Sequence, residues 1–131
     1  MPVVAVTRLR LRSPRYLPAF FWHSYVSRRQ AARTSGNLGV KLRKTDGLAF
    51  WTVTIWRDAA AMRSFSITAP HSNAMAQLGH WCDEAAFIHW EQSASDLPSW
   101  DTASERLRTG GKQGHLRHPS ERHRRGEIVV S

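Results

Sequence analysis

One cysteine, Cys82, is all the sequence holds, which excludes an internal disulfide framework. Glycine-rich phosphate loops and dinucleotide fingerprints are absent, so no nucleotide chemistry is signalled. No stretch approaches the roughly 18 consecutive apolar residues that a membrane span needs. The opening MPVVAVTRLRLR sets arginines where a signal peptide would carry its apolar run, and the expected compartment is the cytoplasm. Acids are nearly missing from residues 1–57, where Asp46 alone faces eleven Lys and Arg. The balance inverts over 58–100, with five acids against Arg63, and turns basic again over 101–131. A basic half could steer anions or nucleic acid. Lysine and arginine do not interleave with aromatics, however, so an arginine-rich soluble surface accounts better for the net charge of +9. No specific nucleic-acid partner is expected.

What is present is aromatic. The 131 residues suffice for one domain and a tail, and 41% hydrophobic content is that of a globular chain. Five of six tryptophans (Trp22, Trp51, Trp56, Trp81 and Trp90) precede residue 91, so a core, a cavity or an oligomer interface must accept large rings.

Val3 to Leu11 alternates as a strand, with Val3, Ala5, Thr7, Leu9 and Leu11 on one face. The other face, Val4, Val6, Arg8 and Arg10, turns polar towards its end. After Ser13-Pro14 a helix is predicted from about 15 to 33, with Leu17, Phe20, Phe21, Ser24 and Ala31 against the sheet. Trp22 and Val26 lie opposite, which predicts a further contact with a partner subunit or the folded-back tail. A short strand over 38–43 and the turn Thr45-Asp46-Gly47 lead into a strand over 48–56. Both faces of that strand are largely apolar. Its threonines make the Trp56 face the more polar one, so that face is assigned to a cavity and the Trp51 face to helices. Asp58 should cap a helix that buries Met62 and Phe65. Pro70 breaks it, a helix resumes over 71–82 with Met75, Leu78 and Cys82 on one side, and a strand follows over 85–91.

The order β-α-β-β-α-β is the ferredoxin-like α+β arrangement, here over residues 1–92. Residues 93–131 form a basic C-terminal extension with a short helix from about Trp100 to Leu107, read as an arm that packs on a partner subunit. Strands with two apolar faces in so short a chain predict a homodimer.

Titratable candidates are few. His71, next to Pro70 at a helix start, reads as a pocket acid or base, or as a capping histidine at a kink. His89, on the presumed cavity face, reads as a hydrogen-bonded core residue or a catalytic one. His71, His80 and His89 lack compact metal-site spacing, and no structural metal is expected. Cys82 precedes Asp83 and Glu84, whose charge opposes a thiolate.

FWTVTIWRDAAAMRSF followed by PHSNAM resembles the strand–helix signature of the antibiotic-biosynthesis-monooxygenase-like superfamily of dimeric α/β barrels. The opening TRLRLRS, Arg29-Gln30-Ala31, WCDEA, LPSW and RHPS are similar to a spheroidene-monooxygenase-like subgroup, over residues 3 to about 120. The resemblance implies two subunits paired sheet to sheet, each with a pocket between its sheet and helices. It implies a pocket role for Trp56 and a substrate-facing Thr52, a position where a quinone-forming monooxygenase has a catalytic Asn. In the haem-degrading branch an aromatic on the second helix is followed ten residues later by the haem-ligating His. Here those positions are Phe65 and Met75, which disfavours haem bound in that way but leaves the cofactor open.

The function expected is that of a homodimeric, monooxygenase-like protein binding an apolar or aromatic small molecule. Phe50, Trp56 and Phe65 enclose it, Thr52, His71 and His89 are polar handles, and His71 is the catalytic candidate. The alternative is a non-catalytic interaction or ligand-binding protein that uses its basic surface.

Overall fold

The alternation over Val3–Leu11 becomes β1, the centre of the sheet. β1 pairs antiparallel with β3 (Ala49–Trp56) on one side and with β4 (Cys82–Glu91) on the other. β2 (Asn37–Thr45) and the short β5 (Lys112–Gln113) form the edges, giving the order β2-β3-β1-β4-β5. The computed structural model describes residues 1–45, 47–68 and 77–131. A 3-10 turn at Pro14–Tyr16, opened by the Ser13 hydroxyl, leads into α1 (Leu17–Arg33). α2 (Ala59–Ile67) starts where the Asp58 carboxylate accepts the Ala61 N–H at 2.9 Å, and it ends before Pro70. Residues 77–81 are helical (α3), and α4 (Trp100–Gly110) and α5 (Glu121–Arg124) follow the sheet, each capped by a serine. The four long strands and the first helices make the ferredoxin-like α+β fold. Among the described residues no helix is long and apolar enough to cross a membrane.

Two short backbone passages set this geometry. Gly36, between α1 and β2, has φ +92, and a Cβ there would stand 2.6 Å from that of Ala61. Only glycine lets α2 approach the turn so closely. Gly47, φ +65, turns the β2–β3 hairpin.

The strand register fixes which side chains share a face. Thr7 lies opposite Thr52 and Phe87, and Ala5 opposite Thr54 and His89. α1, α2 and α3 lie over this face: Ala31, Trp56, Ala61 and Phe65 form one buried cluster, and Phe20, Leu78, Trp81 and Leu11 another. The expected position of the first helices therefore needs correction. The first helices cover the Trp56 face, because both crossovers deliver them to one side of the sheet, and the cavity lies between. The Trp51 face is covered by the extension: Ala103 and Leu107 of α4 join Val4, Val6, Trp51, Val53 and Ile55 in one core, with Ile128 and Val130 packed against it. Trp51 gives its indole N–H to Thr45 Oγ1 at 2.9 Å and meets the Trp100 ring edge-on at 6.4 Å. The chain thus covers both of its own sheet faces, and the homodimer expected from a bare face loses that support.

The polar end of the β1 alternation is buried as well. Arg8 (1% exposed) and Glu84 (2%) form an ion pair at 3.0 Å inside the Trp51 face. Glu84 also receives Arg10 at 3.3 Å and the Ser120 hydroxyl at 3.0 Å, with Arg122 at 3.7 Å. Arg8 turns its other nitrogens to the Ser131 carbonyl oxygen, at 2.8 and 3.0 Å. Burial works against both charges and lowers the Arg8 pKa, but a guanidinium stays protonated. The titrating member is Glu84. Burial alone would raise its pKa, yet the hydrogen bonds from Arg8 and Ser120 and the arginine charges outweigh burial and hold it below its ordinary 4.5. A depressed folded value means the pair's stabilisation is complete above pH 4.5 and is lost as pH falls through the folded value.

Glu84→Gln leaves the Arg8 charge buried and unpaired, and should lower unfolding stability at pH 7 by about 3–5 kcal/mol. Urea unfolding at pH 7 and below pH 4 should show the gap between variant and parent narrowing in acid.

Candidate functional site

α1 carries Phe20, His23, Ser24, Ser27, Arg28 and Ala31 at the three- and four-residue spacings of one helix face. All six line a cavity of about 510 Å³ between the sheet and the helices. That volume falls within the roughly 300–1,000 Å³ typical of small-molecule sites. The sheet floor is Ala5, Thr7 and Leu9 with Thr52, Thr54 and Trp56. α2 adds Met62 and Phe65, and the far end is closed by Leu78, Trp81 and the loop Gln113 to Leu116.

The aromatic wall is built from fixed contacts. Trp56 and Phe65 stack at 5.0 Å with 28° between their planes. The Trp56 N–H is already satisfied by Thr54 Oγ1 at 2.9 Å, and the indole, fully buried against Phe65, backs the cavity wall as packed apolar surface. His23 lies against Trp81 at 5.2 Å between ring centroids. His23 Nδ1 and Ser27 Oγ, one turn apart, are buried atoms with no hydrogen-bond partner among the described residues. On the β4 side, Phe87 is 40% exposed and His89 is exposed, so this wall meets solvent.

Thr52, Trp56, Phe65 and His89 are brought together in the cavity wall. Phe50 is not among the lining residues. It shares their sheet face, but the Phe20 ring at 4.8 Å and the Phe21 ring at 5.6 Å cover it. His71 and Met75 lie outside the described residues. Sequence reasoning missed His23, Ser27 and Arg28, although they continue the stripe of Phe20, Ser24 and Ala31. It also missed the loop Gln113 to Leu116, which approaches because β5 pairs with Ala86 and Phe87 of β4. Phe21, expected to be buried, is 52% exposed.

Among the described residues the wall contains neither Asp nor Glu, and its ionisable side chains are Arg28 and the imidazoles of His23, His89 and His115. Those three histidines come from separate elements. Among the described residues no group of three or more His, Cys, Asp or Glu is placed to hold a metal ion. The wall therefore suits an apolar ligand with few polar contacts.

A family model described as a domain of unknown function, DUF3291, matches residues 16–118. The chain belongs to the DUF3291 family. The match runs through α4 and β5, so most of the segment covering the Trp51 face lies within the family domain. No curated protein matches the chain.

Solved structures share the fold. Rv0793 from Mycobacterium tuberculosis has a TM-score of 0.65 at 18% identity, covering 72% of this chain and 97% of that one. SnoaB, a cofactor-independent oxygenase from Streptomyces nogalater, has a TM-score of 0.57 at 19% identity over 75% of this chain and 98% of its own. A structure described as an antibiotic biosynthesis monooxygenase has a TM-score of 0.62 at 10% identity, covering 70% and 99%. This DUF3291 chain therefore shares its fold with these structures. Nearly the whole of each neighbour fits within three quarters of it.

Cys82 takes no part in the cavity. It is fully buried, and burial, with the Asp83 charge adding to it, pushes the thiol pKa up to about 12. Ellman's reagent at pH 8 should leave the native protein unmodified, whereas the denatured chain should release one equivalent of thiolate.

Proposed function

We propose that the protein encloses an apolar or aromatic small molecule between its sheet and helices, and that it acts on that molecule as an oxygenase. The observation that carries this reading is the cavity of about 510 Å³ with the Trp56–Phe65 stack on its wall and no carboxylate among its described lining residues. SnoaB supports it, as a cofactor-independent oxygenase built on the same fold. Thr52 and His89 are polar groups of the floor and the open wall, and His71 remains the catalytic candidate for proton transfer.

Chemistry of this kind needs a substrate with an acidic C–H, such as a methylene held between two aromatic rings. A histidine takes the proton, the carbanion gives its electrons to O₂, and the hydroperoxide formed loses water to leave a carbonyl. The substrate is oxidised at carbon and O₂ is reduced, so the protein supplies enclosure, orientation and a base.

A self-associating surface is proposed on different grounds from a bare sheet. Trp22 is 63% exposed and Tyr25 53%, side by side on the outer face of α1 with ring centroids 6.3 Å apart. Phe21, 52% exposed, extends this apolar area, and such a patch favours a second copy of the chain.

Two measurements bear on these readings. Thr52→Phe places a ring in the cavity, and should abolish quenching of tryptophan emission by a neutral polycyclic aromatic while leaving the far-ultraviolet dichroism unchanged. If the variant still binds the probe at the parent's affinity, the cavity is not the binding site. Light scattering at micromolar concentration should give a dimer mass for the parent and a monomer mass for Trp22→Glu; a monomeric parent removes the self-association proposal.

A further inference from the structure

The cavity has scattered polar groups on its floor and open wall, Thr52, Thr54 and His89 among them, and a denser row along α1. That row is the stripe His23, Ser24, Ser27 and Arg28, one face of one helix opposite Ala5, Thr7 and Leu9. Two features of that stripe call for a ligand. His23 Nδ1 and Ser27 Oγ are buried without a hydrogen-bond partner among the described residues, a condition that costs about 1–3 kcal/mol per group when nothing meets them. Arg28, one residue along, is exposed and makes no hydrogen bond, ion pair or ring contact among the described residues, so its guanidinium is available to an anion at the cavity wall.

We propose that the ligand is an amphipathic carboxylic acid, with its apolar body against Trp56 and Phe65 and its carboxylate bound by Arg28, His23 and Ser27. This rests on the reading of the cavity as a small-molecule site. The alternatives fit the wall less well. A cationic ligand would meet Arg28 and find no acid in the lining. A wholly apolar one would fill the space and leave the two buried polar atoms unmet. A carboxylate supplies acceptors for all three groups at once: the guanidinium fork, the serine hydroxyl and an imidazole carrying its proton on Nδ1. His23 and Ser27, four residues apart, share one side of the helix, and Arg28, four after Ser24, lies on the adjoining strip of the same cavity-lining face. The basic surface assists from a distance, since a net charge of +9 draws anions towards the molecule.

The test uses a matched pair of probes, 1-naphthylacetate and 1-naphthylacetamide, which share an apolar body and differ in charge. Each is titrated into the full chain with tryptophan emission as the readout. The parent should bind the carboxylate at least about tenfold tighter than the amide, the scale of one charge-assisted hydrogen bond. Arg28→Gln should bring the carboxylate down to the amide's affinity and leave the amide unchanged. Ser27→Ala should narrow the gap, again without altering amide binding. Equal affinity of the parent for both probes overturns the carboxylate proposal and leaves the cavity reading standing. A preference for the carboxylate that survives Arg28→Gln also overturns it, because the general positive field then explains the difference. If neither probe binds the parent, the cavity reading fails and the carboxylate proposal falls with it.

Discussion

Glu84 is a single carboxylate with Arg8, Arg10 and Arg122 around it, and the arrangement of the second half of the chain depends on where it sits. It lies on β4, its main partner Arg8 on β1, and both are buried on the sheet face that also holds Trp51, Val53 and Ile55. An isolated charge there would be driven to neutrality or to the surface. The pair is tolerated because the segments around it contribute polar groups: the Ser120 hydroxyl and Arg122 guanidinium from the α5 region, and the Ser131 carbonyl from the last strap of chain. Apolar contacts of Leu107, Ile128 and Val130 hold the extension on the sheet, and the polar network sets its register. A buried network of this kind is a poor source of net stability and a good source of uniqueness.

The two faces of the sheet meet the demand for cover in opposite ways. The Trp51 face is filled, with Trp51, Ile55, Ala103 and Leu107 at essentially no exposure. The Trp56 face is roofed by α1 and α2 but not filled, because small residues at Ala5, Thr7 and Thr52 leave a void under α1. The filled face supplies the rigidity that lets the other remain hollow. The extension takes part in both: it covers the first face with α4, and after β5 it sends Gln113 to Leu116 across the β4 edge to close the end of the second.

Much of this was legible in the sequence where the signal is local. The period-two alternation gave β1 its two ends, the Asp58 cap gave the start of α2, and the threonines of β3 marked the face with the void. What stayed hidden depends on contacts far apart in sequence. Arg8 and Glu84 are 76 positions apart, and alternation alone recorded only that the second face of β1 becomes polar. The same blindness put the start of β4 at Ala85 instead of Cys82, since an acidic pair reads as a helix end unless a buried arginine is known to face it. The extension lost its periodicity because it covers the sheet with a few spaced anchors, Ala103, Leu107 and the Ile128–Val130 strap, and not with a continuous stripe. His23, Ser27 and Arg28 were missed for a different reason. A polar residue on a sheet-facing stripe looks like the edge of the apolar face until the space in front of it is seen to be empty.

The hydrogen bonds from Arg8 to the Ser131 carbonyl close a loop of 123 positions. Contacts of such separation form late, because the entropy of closing the loop is lost before the contact can compensate. During folding the four long strands can therefore assemble while the Trp51 face is still bare, displaying Val4, Val6, Trp51, Val53 and Ile55 to the surrounding solution. Without the extension in place, these five residues would form a bare apolar sheet face, the kind of surface that invites aggregation.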